Sequence, residues 1–147
     1  MYKIALMTIG RIKTPWIAEG CSMYLERLRH SFDLEERVFT SGNQKEEQEN
    51  MLNALGKIEG TIVILDERGK EFTSPAFSGW LSRERDLGTH VVFVIGGAYG
   101  LNDAIRKKGK LVLSLGKMTF PHELSKLLFL EQLFRAESMR KGSGYHH

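Results

Sequence analysis

The chain has 147 residues and 41% hydrophobic content, enough for one ordinary domain with a real core. A net charge of +3 and a pI of about 9.0 make it only mildly basic, and no apolar run approaches the ~18–20 residues of a membrane helix. The N-terminal MYKIALMTIG is too short in its apolar part for a signal peptide, and the one cysteine, Cys21, cannot form an internal disulfide; both point to a reducing cytoplasm.

In chain order, Tyr2–Ile9 reads as a first strand. Pro15 opens a helical pattern that ends near His30, with Trp16, Met23, Tyr24, Leu25 and Leu28 as inward candidates and Cys21 as a plain small residue. Leu34–Phe39 is a second strand, and Gln44–Leu55, polar and acidic, an exposed helix. Thr61–Leu65 (TIVIL) is a short apolar strand closed by an Asp66-Glu67-Arg68-Gly69 turn. Ser74 at the N-cap and Pro75 at the first helical position predict a helix over about Ala76–Leu87. Val91–Ile95 (VVFVI) is another buried strand, Ala104–Lys107 a short helix, Leu111–Ser114 a last strand and Glu123–Arg140 a last helix.

Strands alternate with helices, and the strands are apolar on both faces. That pattern predicts an α/β domain spanning residues 1–147, with a mostly parallel sheet of about five or six strands and helices on both faces. There is no repeat, low-complexity segment or linker.

Charge is unevenly distributed. Residues 1–100 carry 12 Lys/Arg against 14 Asp/Glu, whereas residues 101–147 carry 9 against 4. The run Arg106, Lys107, Lys108, Lys110, Lys117 suits a polyanion such as nucleic acid, or forms an ordinary solvated face.

Ligands of open α/β sheets sit beyond the carboxyl ends of the strands. Three such ends are unusual here: Leu65-Asp66-Glu67-Arg68-Gly69, Gly96-Gly97-Ala98-Tyr99-Gly100 and Leu115-Gly116-Lys117-Met118-Thr119-Phe120. The second admits either close backbone approach to a ligand or simple tight packing. Its spacing is not that of a dinucleotide fingerprint, and Gly116-Lys117 is followed by Met rather than the Ser/Thr of a phosphate-binding loop. His122, His146 and His147 are too scattered to read as a metal site, so no metal is expected. No Ser-His-Asp or Cys-His pattern stands out, which favours a reaction carried by positioning.

The last helix is apolar almost all round: Leu124, Leu127 and Leu128 on one side, Leu130, Leu133 and Phe134 on another. Such a helix must be buried all round, which in so small a domain predicts a subunit interface. Glu131 and Arg135 stand four apart with the acid first, the spacing of an ordinary helix ion pair. The tail Lys141–His147 reads as flexible, yet its adjacent Tyr145 and His146 are suited to stacking on a base and deprotonating it.

VVFVIGGAYGL, KMTFPHELSKLLFLEQLFRAESM and the closing Tyr-His together resemble the bacterial ribosomal RNA large subunit methyltransferase H family, compact members of the SPOUT class of RNA methyltransferases. The resemblance runs over essentially the whole chain, and the K-M-T-F-P-H block with the terminal Tyr-His is its most specific part. It implies an α/β domain with a C-terminal trefoil knot and an S-adenosylmethionine site lined by Leu65, Gly96, Leu115, Gly116, Lys117, Met118, Thr119 and Phe120. It implies a cytoplasmic homodimer acting on assembled 70S ribosomes, methylating N3 of a pseudouridine in the helix 69 loop of 23S rRNA. His146 is then expected as base or proton relay, Tyr145 against the nucleotide, and Arg135 on RNA phosphate or the tail. Two other readings stay open. One is a SPOUT enzyme acting on tRNA, which a larger appended RNA module would favour. The other is a non-catalytic flavodoxin-like nucleotide or RNA-binding module, which predicts no affinity for S-adenosylmethionine and no dimer through the last helix.

Overall fold

The computed structural model describes residues 1–146; His147, grouped above with His122 and His146, lies outside the described residues. The β-branched runs form β1 (Tyr2–Ile9), β2 (Phe32–Phe39), β3 (Thr61–Glu71), β4 (Val91–Ile95) and β5 (Leu111–Ser114). Between and after them lie α1 (Pro15–Leu28), α2 (Gln44–Leu55), α3 (Ser74–Asp86), α4 (Asp103–Arg106) and α5 (His122–Lys141). The strands make one sheet in the order β2-β1-β4-β3-β5, with every pairing parallel. Every residue of β4, in the middle, is buried.

The two-sided apolar strands are explained by two cores. Ile4, Leu6, Val63, Phe93 and Leu113 point to the side covered by α1, α3 and α5. Ala5, Met7, Ile64, Val92 and Val94 point to the side covered by Met51 and Leu55 of α2 and Ile105 of α4. Alternation along each strand feeds both layers.

Helix α5 packs between α1 and α3. Gly20 of α1 makes room for Leu127, since a β-carbon there would sit 3.0 Å from the leucine Cδ1. Phe134 meets Tyr24 at 5.8 Å between ring centroids, and Phe129 packs on Phe93 at 4.8 Å. Toward α3, Ser78 Oγ donates to the Ala136 carbonyl at 2.8 Å, and the buried Glu137 carboxylate accepts from Arg85 at 2.8 Å and Arg140 at 2.5 Å. Much of the all-round apolar character of this helix is thus satisfied within its own chain. Leu124, Leu127, Leu128 and Phe134 remain only partly covered.

Three local expectations are corrected. Trp16 and Met23 do not point inward; they are 63% and 40% exposed. The buried stripe of α1 is Ile17, Cys21, Leu25 and Leu28, and Trp16 lies one residue, hence ~100° of helix rotation, off it. Helix α3 is capped by Thr73, whose Oγ1 accepts from the Ala76 amide at 3.2 Å, while Ser74 Oγ donates to Gln132 at 2.7 Å. Helix α2 is not wholly exposed, because Gln48, Met51 and Leu55 form a buried stripe.

Strand β3 also runs on past Leu65 rather than ending in a turn. Leu65 and Lys70 both oppose Leu113 of β5, so Asp66–Gly69 loops out as a bulge between them. Gly69 is required at its base, since a β-carbon there would lie 2.5 Å from the Val112 carbonyl oxygen.

Candidate functional site

A cavity of about 410 Å³ opens at the carboxyl ends of β3, β4 and β5, within the usual size range of small-ligand sites. It is lined by three walls: the β3 bulge with Leu65, the glycine loop after β4 with Gly96, and the β5–α5 turn with Leu115, Gly116, Met118, Thr119 and Phe120. Seven of the eight residues expected to hold a cofactor therefore converge on one cavity. Lys117 sits in the same turn, exposed, and is not among the lining residues. His122 and Ser125 close the side formed by the start of α5.

Each wall is fixed by a polar residue that pattern reading passed over. In the glycine loop, Gly97 and Gly100 form an isolated antiparallel bridge, and the Gly100 amide donates to the Gly97 carbonyl at 3.0 Å. Gly96 has no room for a side chain, since a β-carbon would lie 2.8 Å from the Gly100 carbonyl carbon. The buried Gln48 of α2 holds this loop from beneath. Its Nε2 donates to the Gly100 carbonyl at 2.9 Å and its Oε1 accepts from the Asn102 amide at 3.0 Å. The sequence signal was a glutamine on the apolar stripe of α2.

In the bulge, Asp66 accepts from the Arg68 amide at 2.9 Å and from the Arg68 side chain at 3.0 and 2.9 Å. Arg106 of α4, bonded to the Leu101 carbonyl and to Asp103, brings a second guanidinium to 4.0 Å from Asp66. The hydrogen bonds from the Arg68 side chain hold the Asp66 carboxyl below its usual range, and the same contact raises Arg68.

In the turn, the Ser114 hydroxyl donates to the Gly116 carbonyl at 2.7 Å and accepts from the Gly116 amide at 3.1 Å. Glu123, in the first turn of α5, accepts from the amides of Lys13 and Thr14 at 3.1 Å each. Those two amides hold its carboxyl below the usual range and tie the β1–α1 connection to the start of α5.

The three expected catalytic residues lie elsewhere on the chain. Arg135 donates from Nη2 to Glu131 Oε1 at 2.7 Å, and this pairing raises its pKa. Tyr145 stacks edge-on against Phe134 at 4.9 Å, lies under the Arg135 guanidinium at 5.1 Å and reaches Glu131 at 3.4 Å. His146 Nδ1 accepts from Arg135 at 3.0 Å. The trio is assembled, but Arg135 stands ten residues beyond Ser125, ~15 Å along the helix axis from the α5 end that lines the cavity.

A family model described as "Predicted SPOUT methyltransferase" matches residues 2–146. The chain is 41% identical to the "Ribosomal RNA large subunit methyltransferase H" of Nitratidesulfovibrio vulgaris (strain Miyazaki F), covering all of both chains. It is 37% identical to the protein of that name from Geotalea daltonii and 34% identical to that from Cytophaga hutchinsonii, in each case with 99% of both chains covered. Among solved structures, the SpoU methyltransferase AviRb from Streptomyces viridochromogenes, solved in complex with AdoMet, is similar at a TM-score of 0.50 and 13% identity. That likeness covers 92% of this chain and 57% of that one, and it concerns the fold.

Proposed function

The chain belongs to the SPOUT methyltransferase family, and from that premise we propose that it transfers a methyl group from S-adenosylmethionine to N3 of a pseudouridine in the helix 69 loop of 23S rRNA. The observation that carries the reading is the convergence of three strand ends on one cavity, in a chain matched along its whole length by rRNA methyltransferases. We assign residues 1–147 to one domain, with the trefoil knot that the resemblance implies.

The lining suits the cofactor. Backbone of Gly96, Leu115, Met118, Thr119 and Phe120 offers amides and carbonyls for an adenine edge, while Leu65, Leu115, Met118 and Phe120 offer apolar cover. Asp66 places a carboxylate beside a ligand that carries a positive sulfonium. When bound, S-adenosylmethionine supplies a methyl carbon whose sulfur keeps the bonding electron pair as the bond to N3 forms. The proton on N3 leaves in the same exchange, and His146 accepts it or relays it to water. Tyr145 packs against the nucleotide and Arg135 holds a phosphate. The exposed Lys107, Lys108, Lys110 and Lys117 supply phosphate contacts to the ribosome.

One chain does not bring the tail to its own cavity. A homodimer answers this, with a second copy across a two-fold axis delivering its tail. The partly covered Leu124, Leu127 and Leu128 and the exposed Trp16 and Met23 give such an interface an apolar strip. With an assembled-ribosome substrate goes a cytoplasmic location, which is part of the same proposal.

Parallel methyl-transfer assays on 70S ribosomes lacking the mark, free 50S subunits and bulk tRNA test substrate choice. Transfer to 70S ribosomes is expected. Transfer to tRNA alone would keep the family and replace the substrate.

A further inference from the structure

Two walls of the cavity are joined by one residue that none of the assignments above uses for positioning. Glu67 stands in the β3 bulge, and its Oε2 accepts a hydrogen bond from Thr119 Oγ1 in the β5–α5 turn. The contact spans elements that are 52 residues apart in sequence. The Glu67 backbone joins in, since its carbonyl lies 3.2 Å from the Ser114 hydroxyl that organises the same turn. The bulge is itself braced by the Asp66–Arg68 pairing, so Glu67 is presented from a fixed base. Across the gap, Met118 and Thr119 are exposed and Met118 has 78% of its surface free. A turn so little packed needs a tether to hold one shape.

We propose that Glu67 is a positioning residue: its carboxylate latches Thr119 and pre-sets the Lys117–Phe120 turn in the shape that receives the cofactor. This rests on the methyltransferase reading for the identity of the ligand, but not for the latch itself. The acceptor, rather than the negative charge, carries the role. An amide oxygen in its place therefore keeps the turn in shape, and a methyl group does not.

Glu67 is exposed, so its variants retain the fold. Backbone amide relaxation by NMR of the ligand-free protein reads the turn directly, and calorimetry with S-adenosylmethionine and the neutral S-adenosylhomocysteine reads its consequence. Glu67→Ala is expected to lower the order parameters of residues 117–120 and to weaken both ligands alike by about tenfold, the scale of one hydrogen bond. In turnover the loss falls on KM for the cofactor with kcat retained. Glu67→Gln is expected to restore the order parameters and both affinities. Unchanged order parameters in Glu67→Ala overturn the latch, as does a Glu67→Gln protein as impaired as the alanine variant. Weakened binding of S-adenosylmethionine alone does so too, because it would assign Glu67 to direct charge recognition of the sulfonium. A wild-type protein that binds neither ligand overturns the cofactor reading, while the relaxation comparison still decides the latch.

Discussion

The Arg135 guanidinium donates to Nδ1 of His146 at 3.0 Å. Because guanidinium has no acceptor, this contact uses the Nδ1 lone pair and leaves the ring hydrogen on Nε2. On the proposed reading, His146 serves as the base once Arg135 leaves Nδ1 for an RNA phosphate.

His146→Ala is therefore expected to lower the rate of methyl transfer by about 10²–10⁴-fold, with S-adenosylmethionine affinity unchanged and the pH dependence of the wild type lost. Single-turnover rates across pH measure this. A variant with full rate and the wild-type pH profile removes His146 from proton transfer.

The Asp66 bulge sets an acid limit. Hydrogen bonds from the Arg68 side chain hold the Asp66 carboxyl below its usual value. A depressed folded-state value means that the stabilisation is fully present above the unfolded value of about 3.9 and is lost as pH falls through the folded one. Thermal unfolding of wild type and Asp66→Asn should thus differ by a constant amount from pH 7 to pH 5. The difference should shrink below about pH 4. A constant difference at all pH values would remove the ion pair as its cause.

Gly96→Ala tests the tightness of the glycine loop. The added methyl lies 2.8 Å from backbone of Gly100, so the loop must shift. A destabilisation of about 1–3 kcal/mol is expected from overpacking against backbone, with weaker S-adenosylmethionine binding, measured by denaturant unfolding and calorimetry. Wild-type affinity in this variant would place the ligand away from the loop.

Lys107 and Lys108 are exposed and directly follow Arg106, the α4 residue that lines the cavity. Their double alanine variant is expected to weaken ribosome binding and to flatten the dependence of log affinity on log salt by roughly 0.7–0.9 per lost phosphate contact. Equal slopes for variant and wild type would make this run a solvated face.

The strands and helices were legible because apolar runs and their spacing are local properties. TIVIL and VVFVI read as two-sided strands, and they pair in parallel with each other and, on their outer sides, with β5 and β1. Where local reading failed, a non-local partner decided. The helical pattern opened by Pro15 makes Trp16 an inward candidate, but the stripe that packs with the sheet and α5 is Ile17, Cys21 and Leu25. Asp66–Gly69 carries every mark of a turn, yet Leu113 pairs on both sides of it and keeps the strand going. The cavity walls were legible as strand ends rich in glycine. Their tethers were not: Gln48, Asp66, Ser114 and Glu123 are ordinary polar residues until the fold brings a backbone partner to each.

Methyl transfer to one nucleotide is the reaction to test first. Ribosomes lacking the helix 69 methyl mark would be incubated with the protein and S-adenosylmethionine carrying a labelled methyl group, and the 23S rRNA digested to nucleosides. Label is expected in a single product, N3-methylated pseudouridine, mapping to helix 69, at one methyl per ribosome or fewer. Label in another nucleoside or another rRNA, or no label from a protein that binds the cofactor, would contradict it.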